Sequence, residues 1–297
     1  MVVNITIDQL RTDYLKAFAP LYGGDGFKRL LAEGLVYENV SYPFSNIDRA
    51  SAISSVITGV SPYYHSIIGE KWLNKETLRP VLCTDDPKQS GLDSPNQLQV
   101  STLGDELKVA TQGQAKIFAI APYQDAAILS AGHAADGAFW LDTQTGQWKT
   151  SPYYLKSLPS WVLSVNELRS PAANIKKVVW EPLFELTGTI NYYQHVGDQK
   201  PFKHVFKGER KFIEYQTSGL VNSDITEMAQ QCVTQYGVGF DRVTDLLCVT
   251  YYAGTFDRKP QKICRPETQY QKNIWCWNRK WLQHRKRKKF SPRNAIR

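Results

Sequence analysis

No acidic residue follows Glu267, although ten of the 36 Lys and Arg residues lie in the 30 positions after it. The overall charge of +8 is therefore a local property. The first 267 residues carry 26 basic against 28 acidic side chains, so the folded part of the chain calls for no polyanionic partner, nucleic acid included. Long apolar runs are missing too. Nothing approaches the ~20 residues that span a bilayer, and no transmembrane segment is expected. Met1 leads straight into Val2-Val3-Asn4-Ile5-Thr6-Ile7, too short and too polar for a secretory leader. The chain is expected either to lack its natural N-terminus, the favoured alternative, or to stay in the cytoplasm. Five cysteines (Cys83, Cys232, Cys248, Cys264 and Cys276) include no C-x-x-C pair and no metal-ligand spacing, which excludes a zinc finger or a dithiol redox site. Cys232 and Cys248 sit on apolar faces and read as core. Histidine is scarce as well: His65, His133, His195, His204 and His284 are scattered singly.

What is present has the rhythm of an α/β protein. Residues 2–7 read as a buried strand ending at Asp8. Gly24-Asp25-Gly26 opens a helix with Phe27, Leu30 and Leu31 on one face, stopped by Gly34. Residues 35–40 predict a second strand, and the small, Ser-rich stretch 50–57 a helix packed close under a sheet. Ser101 is placed to cap a helix through Leu103 and Leu107 to Ala110. Ile117-Phe118-Ala119-Ile120-Ala121 is an unbroken apolar run, the mark of a strand covered on both faces, and residues 246–251 read as another buried strand. Between them, Ile225, Met228, Ala229, Cys232, Val233 and Tyr236 follow helical spacing. Asp224 with Glu227 resembles a capping box there, and Gly237 a stop. Strands alternating with helices predict a three-layer α/β/α sandwich around a mostly parallel sheet. From about 151 to 219 the rhythm breaks, and a cap-like insertion is expected. The expected organisation is thus an α/β domain over 1–150, the insertion over 151–219, a return to the α/β domain over 220–263 and a basic tail over 264–297.

In such a sheet ligands gather at the carboxyl ends of the strands, where Asp8 stands. Its neighbourhood is informative. Asp8-Gln9 is followed by Gly26-Phe27-Lys28-Arg29-Leu30, then by Thr58-Gly59-Val60-Ser61-Pro62-Tyr63-Tyr64-His65-Ser66-Ile67, then by Ala127-Ile128-Leu129-Ser130-Ala131-Gly132-His133. In this order and spacing, from Val2 to about Thr255, the chain resembles the first half of the phosphodiesterase and phosphate-irrepressible branch of the alkaline phosphatase superfamily. The resemblance implies metal-dependent hydrolysis of phosphate mono- or diesters. Two zinc ions would hold a Thr or Ser nucleophile and the leaving oxygen, with Asp8 a ligand of one zinc. It also implies a periplasmic or cell-envelope address, and it makes His65 and His133 structural.

Several positions depart from that pattern. The nucleophile position falls on Arg49, with Ser45 or Ser51 as substitutes only in a shifted register. The phosphate-binding Asn is replaced by Glu70, and a Lys-x-Arg clamp falls on Tyr123 and Asp125. The next Asp-x-x-x-His ligand pair meets Ala253-Gly254-Thr255-Phe256-Asp257-Arg258-Lys259, without a histidine. Later ligands of the pattern lie beyond residue 297. The chain is therefore expected to be a truncated, incomplete version of the fold, inactive and not fully loaded with zinc. Arg49, Glu70 and Asp125 are left open as a different site rather than a ruined one. The tail, with Trp275, Trp277, Trp281 and the run from Arg285 to Lys289, is open to three readings. It is a binding patch for nucleic acid or anionic membrane, a solvated disordered tail, or the product of a shifted reading frame, which fits the abrupt change of composition best. The first of these makes the chain a non-catalytic binding protein, the alternative to a hydrolase.

Overall fold

The computed structural model describes residues 1–181, 203–254 and 256. The basic tail, Cys264, Cys276, His195 and His284 lie outside the described residues, and so do the expectations placed on them.

The chain enters through strand β1 (Val2–Asp8) and runs through helices α1 (Thr12–Ala17) and α2 (Phe27–Glu33). Then come α3 (Arg49–Thr58), α4 (Pro62–His65) and a small hairpin of β2 (Lys71–Leu73) and β3 (Pro80–Leu82). Helix α5 (Leu103–Ala110), strand β4 (Ile117–Ala121), helix α6 (Gln124–Ala131), β5 (Gly137–Leu141) and β6 (Trp148–Lys149) continue the α/β alternation. Helices α7 (Ser160–Leu168) and α8 (Pro171–Asn174), a two-strand ribbon of β7 (Val179–Trp180) and β8 (His204–Val205), and α9 (Lys211–Gln216) follow. Helix α10 (Val221–Tyr236) leads to the last described strand, β9 (Leu246–Tyr252).

The main sheet has the order β1-β9-β4-β5-β6, parallel except for β6. Strand β9 inserts between β1 and β4, so residues far apart in sequence end side by side: Asp8 is in register with Tyr252, and Ala119 with Cys248. The burial of both central strands on both faces follows from the period of two. Phe118, Ile120, Leu247, Val249 and Tyr251 face one core, with Tyr14, Phe139, Ile225 and Met228. Ile117, Ala119, Ala121, Leu246 and Cys248 face the other, with Ile53, Ile57 and Ile128. Each fully buried large side chain contributes roughly 1.5–3 kcal/mol. The expected three layers and mostly parallel sheet are present. On the second face, Ala50, Ser51, Ser54, Ala126, Ala127 and Ala131 are buried, and these small residues let α3 and α6 lie close together.

Three local expectations need correction. Residues 35–40 form no strand: Leu35 and Val40 are 83% and 77% exposed, and the β-prone segment finds no strand to pair with. Helix α5 is capped by Thr102, not Ser101. Thr102 Oγ1 accepts from Asp105 N at 3.2 Å while Asp105 Oδ2 accepts from Thr102 N at 2.8 Å. Helix α10 begins at Val221 with no side-chain cap, and Asp224 instead accepts the Tyr215 hydroxyl at 2.6 Å. Its stop is as expected, with Gly237 in the left-handed region (φ 60°). Within the span 151–219, Val162, Val165, Ile175, Trp180, Phe206, Phe212 and Tyr215 belong to the same core as Phe118 and Phe139.

Candidate functional site

Four elements deliver side chains to the carboxyl ends of the parallel strands. Asp8 is the last residue of β1. Tyr123 precedes α6 and Asp125 lies in its first turn, just past the end of β4. Arg49 is the first residue of α3, and Glu70 comes directly before β2. The residues singled out as departures from the family pattern thus converge on one point.

Arg49 is at the centre, its side chain only 12% exposed. Its Nε donates to both oxygens of Asp125, at 3.1 and 2.9 Å. Its Nη2 is 2.8 Å from Glu70 Oε1, and its Nη1 is 3.6 Å from Asp8 Oδ2. The guanidinium carbon lies 3.9 Å from the centre of the Tyr123 ring, a cation–π stack, and Tyr123 meets Tyr252 edge to face at 5.6 Å. Three carboxylates surround one guanidinium, a formal charge of −2. The electrostatics follow. Burial alone would lower the pKa of Arg49, but Asp125, Glu70 and Asp8 outweigh it and hold the guanidinium firmly charged. Burial raises the Asp8 pKa to about 6, with Arg49 opposing and Asp125 reinforcing. Glu70 is raised by burial in the same way, against Arg49 and with Asp125, Asp48 and Asp8 adding to the rise.

The serines do not join this cluster. Ser51 is fully buried in the capping box of α3, where its Oγ lies 2.8 Å from Asp48 Oδ1 and its N–H donates to the same oxygen at 2.9 Å. Ser45 is exposed in the bend before the helix, and no bond of its side chain enters the cluster. His65 and His133 are structural. Ile67 N–H donates to His65 Nδ1 at 3.1 Å, which leaves Nε2 to donate to Ser55 Oγ at 2.9 Å. His133 faces Asp105 Oδ2 at 3.0 Å and the Leu98 carbonyl at 3.1 Å. His204 pairs with Glu214 at 3.0 Å. The residue that sequence reasoning missed is Asp48. Beyond capping α3, its Oδ2 accepts the Glu70 N–H at 2.6 Å, which sets Glu70 over Arg49. A carboxylate three residues before a serine, at the head of a small-residue helix, was the available signal.

A metal does not fit these residues. Asp8 Oδ2 is buried and accepts no hydrogen bond, so it has a lone pair to spare, but the charge that faces it is a guanidinium. Zinc asks for about four converging donors. Among the described residues no three His, Cys, Asp or Glu side chains converge to hold an ion. Asp125 and Glu70 turn their oxygens to Arg49.

A mostly parallel α/β sandwich with its acidic side chains gathered at the strand tips is the frame of a metal-dependent phosphatase superfamily. A model of the type I phosphodiesterase / nucleotide pyrophosphatase family matches residues 2–249, and the chain belongs to that family. It is 36% identical to the alkaline phosphatase PhoV of Synechococcus elongatus over 218 residues, 71% of this chain and 39% of PhoV. It is 32% identical to the alkaline phosphatase PafA of Elizabethkingia meningoseptica over 270 residues, 84% of this chain and 49% of PafA. The crystal structure of alkaline phosphatase PafA superposes with a TM-score of 0.77 at 28% identity, over 93% of this chain and 57% of PafA. The chain therefore spans about half the length, or less, of the curated relatives it matches.

Proposed function

We propose that this chain carries the fold of a phosphate-ester hydrolase without its chemistry. The observation that supports this is Arg49. A nucleophile for phosphorus needs a lone pair on a deprotonated or readily deprotonated atom, and a guanidinium held charged by Asp125, Glu70 and Asp8 has none to offer. The groups that would have to clamp a phosphate dianion are of the wrong sign. Glu70 and Asp125 are carboxylates, and Tyr123 is a phenol whose ring is covered by Arg49. With a formal charge of −2, the pocket repels a dianion. Zinc, which the family resemblance brings to mind, would meet the Arg49 guanidinium beside Asp8.

The test is turnover. The full chain, supplied with zinc, is expected to hydrolyse neither p-nitrophenyl phosphate nor bis-p-nitrophenyl phosphate above the buffer rate. Zinc-dependent turnover that Asp8→Ala abolishes would establish an enzyme and refute the proposal.

A further inference from the structure

The cation in this pocket has a definite shape. Each nitrogen of Arg49 faces a different carboxylate: Nε takes both oxygens of Asp125, Nη2 takes Glu70 and Nη1 faces Asp8. The flat face that remains lies on the ring of Tyr123. Donors presented edge-on to three carboxylates, with a face on an aromatic ring, are what a guanidinium offers. An ammonium offers its three donors from a single nitrogen and has no flat face to lay on the ring. A metal ion needs donors converging on one point, which the described residues lack.

The backbone that carries Asp8 and Glu70, the Asp125 carboxylate and the Tyr123 ring also have partners other than Arg49. Asp8 is fixed by β1, where Ala253 N donates to its carbonyl at 2.9 Å. Asp125 Oδ1 accepts from Ala126 N at 2.9 Å, and Glu70 is tied through its N–H to Asp48. Tyr123 is wedged against Tyr252. A receptor built this way outlasts the loss of its ligand. We infer that Asp8, Glu70, Asp125 and Tyr123 form a guanidinium-binding site whose ligand is supplied in cis by Arg49, and which takes up a free guanidinium compound once that side chain is removed. This goes beyond the absence of hydrolysis, since it assigns the pocket a ligand class of its own. Turnover by the wild-type chain would sink the functional proposal and leave this one standing, whereas failed rescue does the reverse.

The experiment is thermal unfolding of the full-length Arg49→Ala chain in low-millimolar guanidinium chloride. Guanidinium raises Tm saturably, by about 2–3 °C at tenfold over its dissociation constant. Equal concentrations of sodium chloride, urea, calcium chloride or zinc chloride do not. The wild-type chain shows no such rise, because its pocket is filled. No saturable rise in the variant, or a rise that sodium or a divalent cation matches, overturns the inference. Should Arg49→Ala fail to fold, the double variant Arg49→Ala/Asp8→Asn restores the formal charge of the wild-type pocket and keeps Glu70 and Asp125, the two closest carboxylates. The same comparison is then made on it, and failure of both variants to fold with guanidinium present counts against the inference equally.

Discussion

Replacing Asp8 by Asn is expected to stabilise the metal-free protein. Burial raises the Asp8 pKa from 3.8 to about 6. The folded state therefore holds a proton that the unfolded chain releases, between about pH 4 and 6. The sign follows from linkage. The stability due to this raised pKa is fully present below the unfolded value and is lost as pH rises through about 6. A shift of about two units corresponds to about 3 kcal/mol between the two protonation states. Asn cannot ionise, so Asp8→Asn should gain up to about 3 kcal/mol at pH 8 and almost nothing at pH 4, where Asp8 is already neutral. In Tm that is a gain of up to about 5 °C at pH 8 for a chain of this size. Urea denaturation of wild type and variant at pH 4, 6 and 8 reads the difference directly. A variant that is less stable at pH 8, or one whose gain is the same at pH 4 and pH 8, would refute the reasoning.

Other outcomes follow from the same contacts. Asp125→Asn takes one carboxylate oxygen from Arg49 while Glu70 and Asp8 still face it, and should lower stability by about 1–3 kcal/mol, measured by urea denaturation at pH 7. His133 faces an acceptor with each ring nitrogen, so its protonated form is favoured and its pKa is raised, chiefly by Asp105. The stabilisation it gives is complete below the ordinary histidine range and is lost as pH rises through the raised value. His133→Gln should remove that dependence, and an NMR titration of the ring should show the raised midpoint. Gly132 adopts φ +76°, and a Cβ there would collide with the Thr102 hydroxyl, so Gly132→Ala should cost about 2 kcal/mol or more and loosen the N-terminus of α5 by hydrogen exchange.

Much of the fold was legible because its signals are local. The apolar run at 117–121 and the largely apolar 246–251 became the central strands β4 and β9, buried throughout, and the spacing from Ile225 to Tyr236 became α10. Residues 35–40 misled because β-propensity describes a segment that fits a sheet, and only the tertiary fold decides whether a neighbouring strand exists. Ser101 and Thr102 are adjacent hydroxyls with equal claims to the cap, and the choice was made by Asp105, which is engaged with His133 and Ala134 N across the fold. The departures at Arg49, Glu70, Tyr123 and Asp125 could be read one by one from motif spacing. That they bind one another could not, since they come from three separate elements, and their meeting beside Asp8 depends on β9 returning between β1 and β4.

The most direct measurement is anomalous diffraction at the zinc edge from crystals of the full chain grown at pH 8 with zinc and phosphate. The Arg49 guanidinium is predicted to lie against Asp125, Glu70 and Tyr123, with no zinc peak within bonding distance of Asp8. A zinc ion on Asp8 with Arg49 swung away would contradict the account.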